Sequence, residues 1–208
     1  MSEQVKIAID AMGGENSPGK ILEGINISLK SNKDNFFYLF GDKNLLENEL
    51  SKYGKIKNYC EIIHAENKIL DDESPLTAAK KGNNSSMWKT VESQKNKISD
   101  ISLSAGNTGA LLVVSRLILN CIEGIDKPAL AGLWPNNNNM SIVLDLGANI
   151  ECNEKNLTDF CSMGSALYKS LFNNPKPKVA ILNVGLEENK GNDILKRPYS
   201  LLKKKGIK

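Results

Sequence analysis

Four short β-like runs in this chain end in a polar residue followed closely by glycine, a combination suited to holding an anion. Residues 99–113, Ser-Asp-Ile-Ser-Leu-Ser-Ala-Gly-Asn-Thr-Gly-Ala-Leu-Leu-Val, show it most fully. Ile101, Leu103 and Ala105 read as a buried strand, and Gly106 and Gly109 let the backbone turn tightly. The small apolar residues that follow open a helix whose unpaired N–H groups point back at the strand end. Ser104, Asn107 and Thr108 add hydroxyl and amide groups at that place. The pattern recurs where residues 5–10 run into Ala11-Met12-Gly13-Gly14, where 141–145 run into Leu146-Gly147-Ala148-Asn149, and where 179–183 run into Val184-Gly185.

In an open α/β sheet the carboxyl ends of parallel strands share one edge, and ligands bind in the crevice outside it. The four endings are therefore expected to converge on one crevice, bringing together Asp10, Ser104, Asn107, Thr108, Asp145, Asn149 and Asn183. Any one of these turns is explained by backbone needs alone, since Gly, Asn and Asp belong in βα turns. It is the repetition that favours a site. Lys190, between Glu187-Glu188 and Gly191, closely follows the fourth ending and would add a cation to the same edge.

The elements that must position these residues alternate along the chain. Gly19 to Lys30 reads as an amphipathic helix through Ile21, Leu22, Ile25 and Leu29, Phe36 to Phe40 as a buried strand, and the stretch carrying Leu45, Leu46 and Leu50 as a helix ending near Gly54. Glu61 to Ala65 is a short strand, followed by the acidic loop Asp71-Asp72-Glu73-Ser74-Pro75, a helix from about Leu76 and continued helix over Ser85 to Lys95. Leu111 to Ile122 forms the next apolar helix. Residues 129–134 and 140–146 flank Pro135-Asn136-Asn137-Asn138-Asn139 as a hairpin, an antiparallel element in a mostly parallel sheet. A helix from Asn156 to Phe172, capped at Asn156, leads to a strand at Val179. Strands alternating with helices predict an α/β fold.

Composition excludes several function classes. The chain has 208 residues, 40% hydrophobic and 25% charged, which suits a folded protein with a sizeable core. A formal charge of +3 is too small and too dispersed to indicate nucleic acid, and Lys203-Lys204-Lys205 reads as a solvated helix end. The four cysteines form no CxxC and no zinc spacing with the single histidine, His64, so they predict reduced, mostly buried thiols of a cytosolic protein. The first residues lack the pattern of a signal peptide, and no apolar run reaches the length of a membrane span.

Familiar motifs fail on inspection. Gly14 to Lys20 has the spacing of a nucleotide P-loop, but Ile21 stands where a hydroxyl should meet magnesium, Pro18 removes a cradle N–H, and Glu15 would repel phosphate. The turn Gly106-Asn107-Thr108-Gly109 lacks the third glycine of a dinucleotide fingerprint. His64 reads as structural, and no cysteine sits in a polar glycine turn that would activate it. Asp10 and Asp145 are too few carboxylates to predict a metal.

Taken together the motifs are specific. Asp10-Ala11-Met12-Gly13-Gly14, Ser85-Ser86-Met87, the run from Ser104 to Ala110, the run from Gly124 to Ala129, the run from Leu144 to Asn149, and Asn183-Val184-Gly185 with the run from Glu187 to Asn192 occur in the order seen in the PlsX family. The chain resembles that family, the acyl-ACP:phosphate acyltransferases of bacterial phospholipid synthesis, over nearly its whole length. Lys127 departs from the arginine many relatives carry, and Lys80-Lys81 from a more arginine-rich segment.

The resemblance implies a three-layer α/β/α fold like isocitrate and isopropylmalate dehydrogenases and phosphotransacetylases. It implies transfer of a fatty acyl group from acyl carrier protein to inorganic phosphate; no cofactor or metal is expected. A homodimer is implied, as is a cytoplasmic protein in peripheral contact with the membrane, where a glycerol-3-phosphate acyltransferase would take the acyl phosphate. Residues 1–208 would be the N-terminal portion, since a later family pattern, Asp-Gly-Phe-x-Gly-Asn, is missing. For the chemistry, Asn107, Lys190 and Asp145 are the expected catalytic residues. Asp10, Gly13, Gly14, Ser104, Gly106, Thr108, Gly109, Asn149, Asn183 and Gly185 are expected to bind substrate. Asn107 and Lys190 are placed in an open crevice, so their loss is not expected to affect folding. A phosphotransacetylase-like enzyme using acyl-CoA, a decarboxylating dehydrogenase and a non-catalytic phosphate-binding fragment are the competing readings.

Overall fold

The computed structural model describes residues 4–137 and 139–185. It divides between Asn120 and Cys121 into two compact units.

The first unit is a parallel sheet with helices on both faces. Its elements are β1 (Val5–Asp10), α1 (Gly19–Ser31), β2 (Asn35–Gly41), α2 (Lys43–Leu50), β3 (Cys60–His64), α3 (Pro75–Lys81), α4 (Ser86–Lys95), β4 (Ile101–Ser104) and α5 (Thr108–Leu119). A single turn of 3₁₀ helix, Ile56–Tyr59, leads into β3. The strand order is β3-β2-β1-β4, with every pairing parallel, so β1 is central and ends beside β4 at the pair Asp10 and Ser104. Successive strand residues face opposite sides. On one side Ile9, Phe37 and Leu39 pack with Leu22, Ile25 and Leu29 of α1 and Leu46 and Leu50 of α2. Helices α3, α4 and α5 enclose a second core of Ile69, Ala78, Met87, Val91, Ala110, Val114 and Ile118.

Local chemistry starts each helix where it begins. The side chains of Asp42, Ser74 and Ser85 accept from the N–H of Leu45, Thr77 and Trp88, supplying acceptors that the first turns of α2, α3 and α4 lack. His64 tethers its neighbours in a similar way, with its Nδ1 accepting from Lys43 N at 3.3 Å and its carbonyl accepting from Lys89 Nζ at 2.9 Å. The structural reading of that histidine agrees with this bonding. The continuous helix expected through Ser85 is instead broken between Gly82 and Ser85, because Ser85 caps α4 rather than extending α3. Leu45, expected on the apolar side of α2, is exposed.

One expectation about burial fails. Ile101 and Leu103 are 44% and 48% exposed, where a buried strand was predicted. The reason is topological: β4 ends the strand order among the described residues, and its serines face α4, with Ser102 Oγ donating to Thr90 O at 3.1 Å and lying 2.8 Å from Gln94 Oε1. On the opposite side α1 packs over β1 and β2 and leaves a groove of about 330 Å³ bordered by Ile21, Ile25 and Leu103.

The second unit contains β5 (Ala131–Pro135), β6 (Met140–Leu144) and α6 (Glu154–Phe172). The strands pair antiparallel, as expected for a hairpin, and Asn136 N donates to Asn139 O at 2.8 Å across the turn. Helix α6 begins earlier than expected. Asn153 is the cap, and Asn156, the expected cap, closes a reciprocal capping box as its partner. The predicted strand at 179–183 is absent among the described residues, where that stretch pairs with no other strand. All four cysteines are free and half-buried, less enclosed than expected, with burial pushing the Cys60 thiol up to about 12. A thiol so disposed is a poor nucleophile. No described helix is long and apolar enough to cross a membrane.

Candidate functional site

Two of the four glycine turns meet in the first unit, because β1 and β4 are neighbours with the same direction. Gly13 is buried against the other turn: a Cβ there would lie 2.6 Å from Asp10 Oδ2 and 3.0 Å from both Gly106 N and Ser104 Oγ. A Cβ on Gly106 would lie 3.1 Å from Gly13 Cα. Only glycine allows two backbones to approach this closely.

A chain of polar contacts runs through the junction. Gly106 N donates to Ser104 Oγ at 3.2 Å, and Ser104 Oγ donates to Asp10 Oδ2 at 2.7 Å. Met12 N donates to Asp10 Oδ1 at 3.3 Å. Asp10 is only 2% exposed and lies behind the turns. Burial raises its carboxyl above the ordinary 3.8, against the opposing pull of Ser86, Ser104 and the N–H groups of Met12 and Gly13. The folded state therefore binds this proton more tightly than the unfolded chain. Stability from this group is full below 3.8 and is lost as pH rises from there through the folded value. Measured against Asp10→Asn in urea titrations, the wild type should be favoured most at low pH and progressively less across that window. A difference that grew with pH would contradict the assignment.

Helix α5 starts at the mouth of this junction. Asn107 caps it, its Oδ1 accepting from Ala110 N at 2.9 Å. Its Nδ2 faces the acidic loop, donating toward Glu73 O at 2.8 Å, Asp71 O at 3.1 Å and Leu70 O at 3.4 Å. Both ends of the amide bond backbone, which corrects the expectation that Asn107 can be removed without cost to the fold. The N–H groups of Thr108 and Gly109 carry no acceptor among the described residues, and Thr108 is exposed. A Cβ on Gly109 would meet Pro75 Cγ at 2.6 Å, so the first turn of α5 is seated against the start of α3.

In the second unit Asp145 organises the turn after β6. Leu130 N and Ala148 N donate to its Oδ1, and Asn149 N and Nδ2 to its Oδ2, at distances of 2.9–3.2 Å. A carboxylate offers roughly four acceptor directions, so these donors occupy them. The structure thus shows Asp145 holding its own turn. Asn149 is bonded likewise, its Nδ2 also donating to Pro128 O at 2.9 Å. Asn183 is exposed with its Oδ1 accepting from Val184 N at 2.9 Å, and Gly185 is half-buried. Lys190 lies outside the described residues. Sequence reasoning quoted Ser86 within the motif Ser85-Ser86-Met87 but not as a site residue, and the structure brings it against Asp10. Among the described residues no group of three or more His, Cys, Asp or Glu could hold a metal.

The fold is an α/β arrangement, a mostly parallel sheet flanked by helices, shared with two solved phosphotransacetylases. The EutD phosphotransacetylase from Staphylococcus aureus matches 98% of this chain and 66% of its own at a TM-score of 0.63 and 16% identity. A phosphotransacetylase from Streptococcus pyogenes matches 93% of this chain and 61% of its own at 0.69 and 15%. At such identities the likeness concerns the fold.

Sequence is more specific. Residues 5–208 match the family described as "Fatty acid synthesis protein", and the chain belongs to that family. The phosphate acyltransferase of Pelagibacter ubique (strain HTCC1062) is 55% identical over 202 residues, covering 97% of this chain and 60% of the relative. That of Paramagnetospirillum magneticum is 39% identical over 204 residues, covering 98% and 58%. The chain thus spans about three fifths of the length of the curated relatives it matches.

Proposed function

We propose that this chain supplies the phosphate-holding part of a phosphate acyltransferase that moves a fatty acyl group from acyl carrier protein to inorganic phosphate. The observation that carries the reading is the junction of the two glycine turns at the start of α5. Exposed N–H groups at a helix N-terminus suit an anion, and the helix dipole favours negative charge there. The names of the relatives agree with a phosphate substrate.

The chemistry asks little of the protein beyond placement and charge control. A phosphate oxygen attacks the thioester carbonyl, the carbon–sulfur bond breaks, and the carrier leaves as thiolate while the acyl phosphate forms. Phosphate is already a nucleophile, so no covalent intermediate on the protein is required. Thr108 and Gly109 hold the anion through backbone N–H, aided by the Thr108 hydroxyl, and Gly13, Gly14, Ser104 and Gly106 fix the shape of the turn. Asp10, kept protonated to higher pH by burial, adds less negative charge behind the anion than an ordinary carboxylate would.

Lys190 is proposed as the cation that balances the phosphate. Its replacement by alanine should raise the phosphate concentration needed for half-maximal rate by roughly tenfold, with little effect on turnover at saturation. An unchanged phosphate requirement would remove Lys190 from the reaction.

The test of the whole reading is to incubate the polypeptide containing this sequence with long-chain acyl-ACP and inorganic phosphate, measuring acyl phosphate and free carrier thiol. Equimolar appearance of both is expected. Product from acyl-CoA but not from acyl-ACP would favour a phosphotransacetylase-like enzyme, and phosphate binding without product a purely binding role.

A further inference from the structure

The Ser86 hydroxyl is the buried side-chain polar atom that has no hydrogen-bond partner among the described residues. The residue is 1% exposed, at the first position of α4, with Ser85 capping that helix. An orphaned hydroxyl in a core costs about 1–3 kcal/mol and invites an explanation. Its surroundings provide one. Helix α4 lies against β1 and β4, and Ser86 sits beside the Asp10 carboxyl, pulling on its charge as a donor would, yet without a well-aligned bond.

Every other group acting on Asp10 is already engaged. Ser104 Oγ donates to Oδ2 from β4, Met12 N donates to Oδ1, and Gly13 N lies in the same turn. Phe40, the neighbour of Asp10 on β2, is apolar. An ionised carboxylate accepts from several donors at once, and Oδ1 has only the 3.3 Å contact from Met12.

We propose that Ser86 is a positioning residue for the phosphate turn: its hydroxyl is the reserve donor that turns onto Asp10 Oδ1 when the carboxyl ionises, holding Asp10, and through it Ser104 and Gly106, in one geometry. The hydroxyl favours the ionised form because a donor bonds a carboxylate more strongly than a neutral acid. The role in transfer rests on the proposed acyltransferase activity, whereas the contact itself does not.

The test is a carbon-13 side-chain titration of Asp10 in this chain, for wild type, Ser86→Ala, Ser86→Cys and Thr90→Val. Thr90 is the control, since it is fully buried on the same helix and its Oγ1 donates to the Ser86 carbonyl at 2.8 Å. Ser86→Ala should raise the Asp10 midpoint by on the order of one pH unit, a tenfold tighter hold on the proton. Ser86→Cys, a weaker donor of similar size, should shift it the same way by less, so either variant decides the matter if the other does not fold. Thr90→Val should leave it in place. A wild-type midpoint in the Ser86 variants, or an equal shift in Thr90→Val, would overturn the proposal. If acyl-ACP and phosphate give no product while the titration shifts as expected, the acyltransferase reading falls and the Ser86–Asp10 contact stands.

Discussion

Gly14→Ala should destabilise the chain by about 3 kcal/mol, combining a cost of about 1–2 for a non-glycine left-handed residue with about 1–3 for overpacking. Gly14 has a φ of +82°, and a Cβ there would lie 2.6 Å from the carbonyl oxygen of Ala105. The neighbour is backbone of the opposing turn and cannot swing aside. Gly24→Ala is the control: Gly24 lies within α1, and a Cβ there would meet nothing within 4 Å. That change should stabilise by roughly 0.5–1 kcal/mol, since glycine inside a helix is unfavourable relative to alanine. Urea midpoints separate the two cases. A neutral Gly14→Ala would mean that the two turns are not pressed together as described.

Asn107→Ala should cost about 2 kcal/mol, of which the lost cap is about 1 and the carbonyls of the acidic loop supply the rest. Hydrogen exchange should also quicken across residues 70–75, because three carbonyls there lose the amide that gathers them. Asn107→Asp distinguishes the two duties. It keeps the oxygen that caps α5 but replaces the donor with a charge that repels the loop carbonyls, so the loop should loosen while the helix start stays protected. Unchanged exchange in the loop for both variants would remove the clamp.

The strands and helices of the first unit were legible because each carries its own signal. Residues 5–10 and 36–40 are short apolar runs, α1 repeats its apolar residues at helical spacing, and Asp42 and Ser74 mark helix starts. The hairpin was equally plain from its asparagine turn. The exposure of β4 could not be read, because Ile101 and Leu103 look alike whether the next layer covers them or not. The stretch 179–183 has the composition of a strand, but pairing is decided by a partner that composition does not name. The tight turns at Gly13, Gly14 and Gly106 were readable from residue type alone. The bonding of the asparagines and Asp145 was not, since a polar side chain in a turn can face many partners, and Asn107, Asn149 and Asp145 bond backbone groups here.

The central place of β1 has a consequence for how the chain acquires its structure. Asp10 and Ser104 are 94 residues apart in sequence. At a synthesis rate of roughly 5–20 residues per second, β4 leaves the ribosome roughly 5–20 s after β1. Strand β2 follows closely enough to pair early, but the other side of β1 must wait, and closing so long a loop adds an entropic barrier. During that interval Gly13 and Gly14 have no opposing turn, Asp10 has no serine from β4, and the acidic loop lacks the Asn107 amide that gathers its carbonyls. The junction at which phosphate would be held therefore forms late in the folding of the sheet, and a chaperone or an early-binding anion acting on nascent β1 alone would find no such junction to recognise.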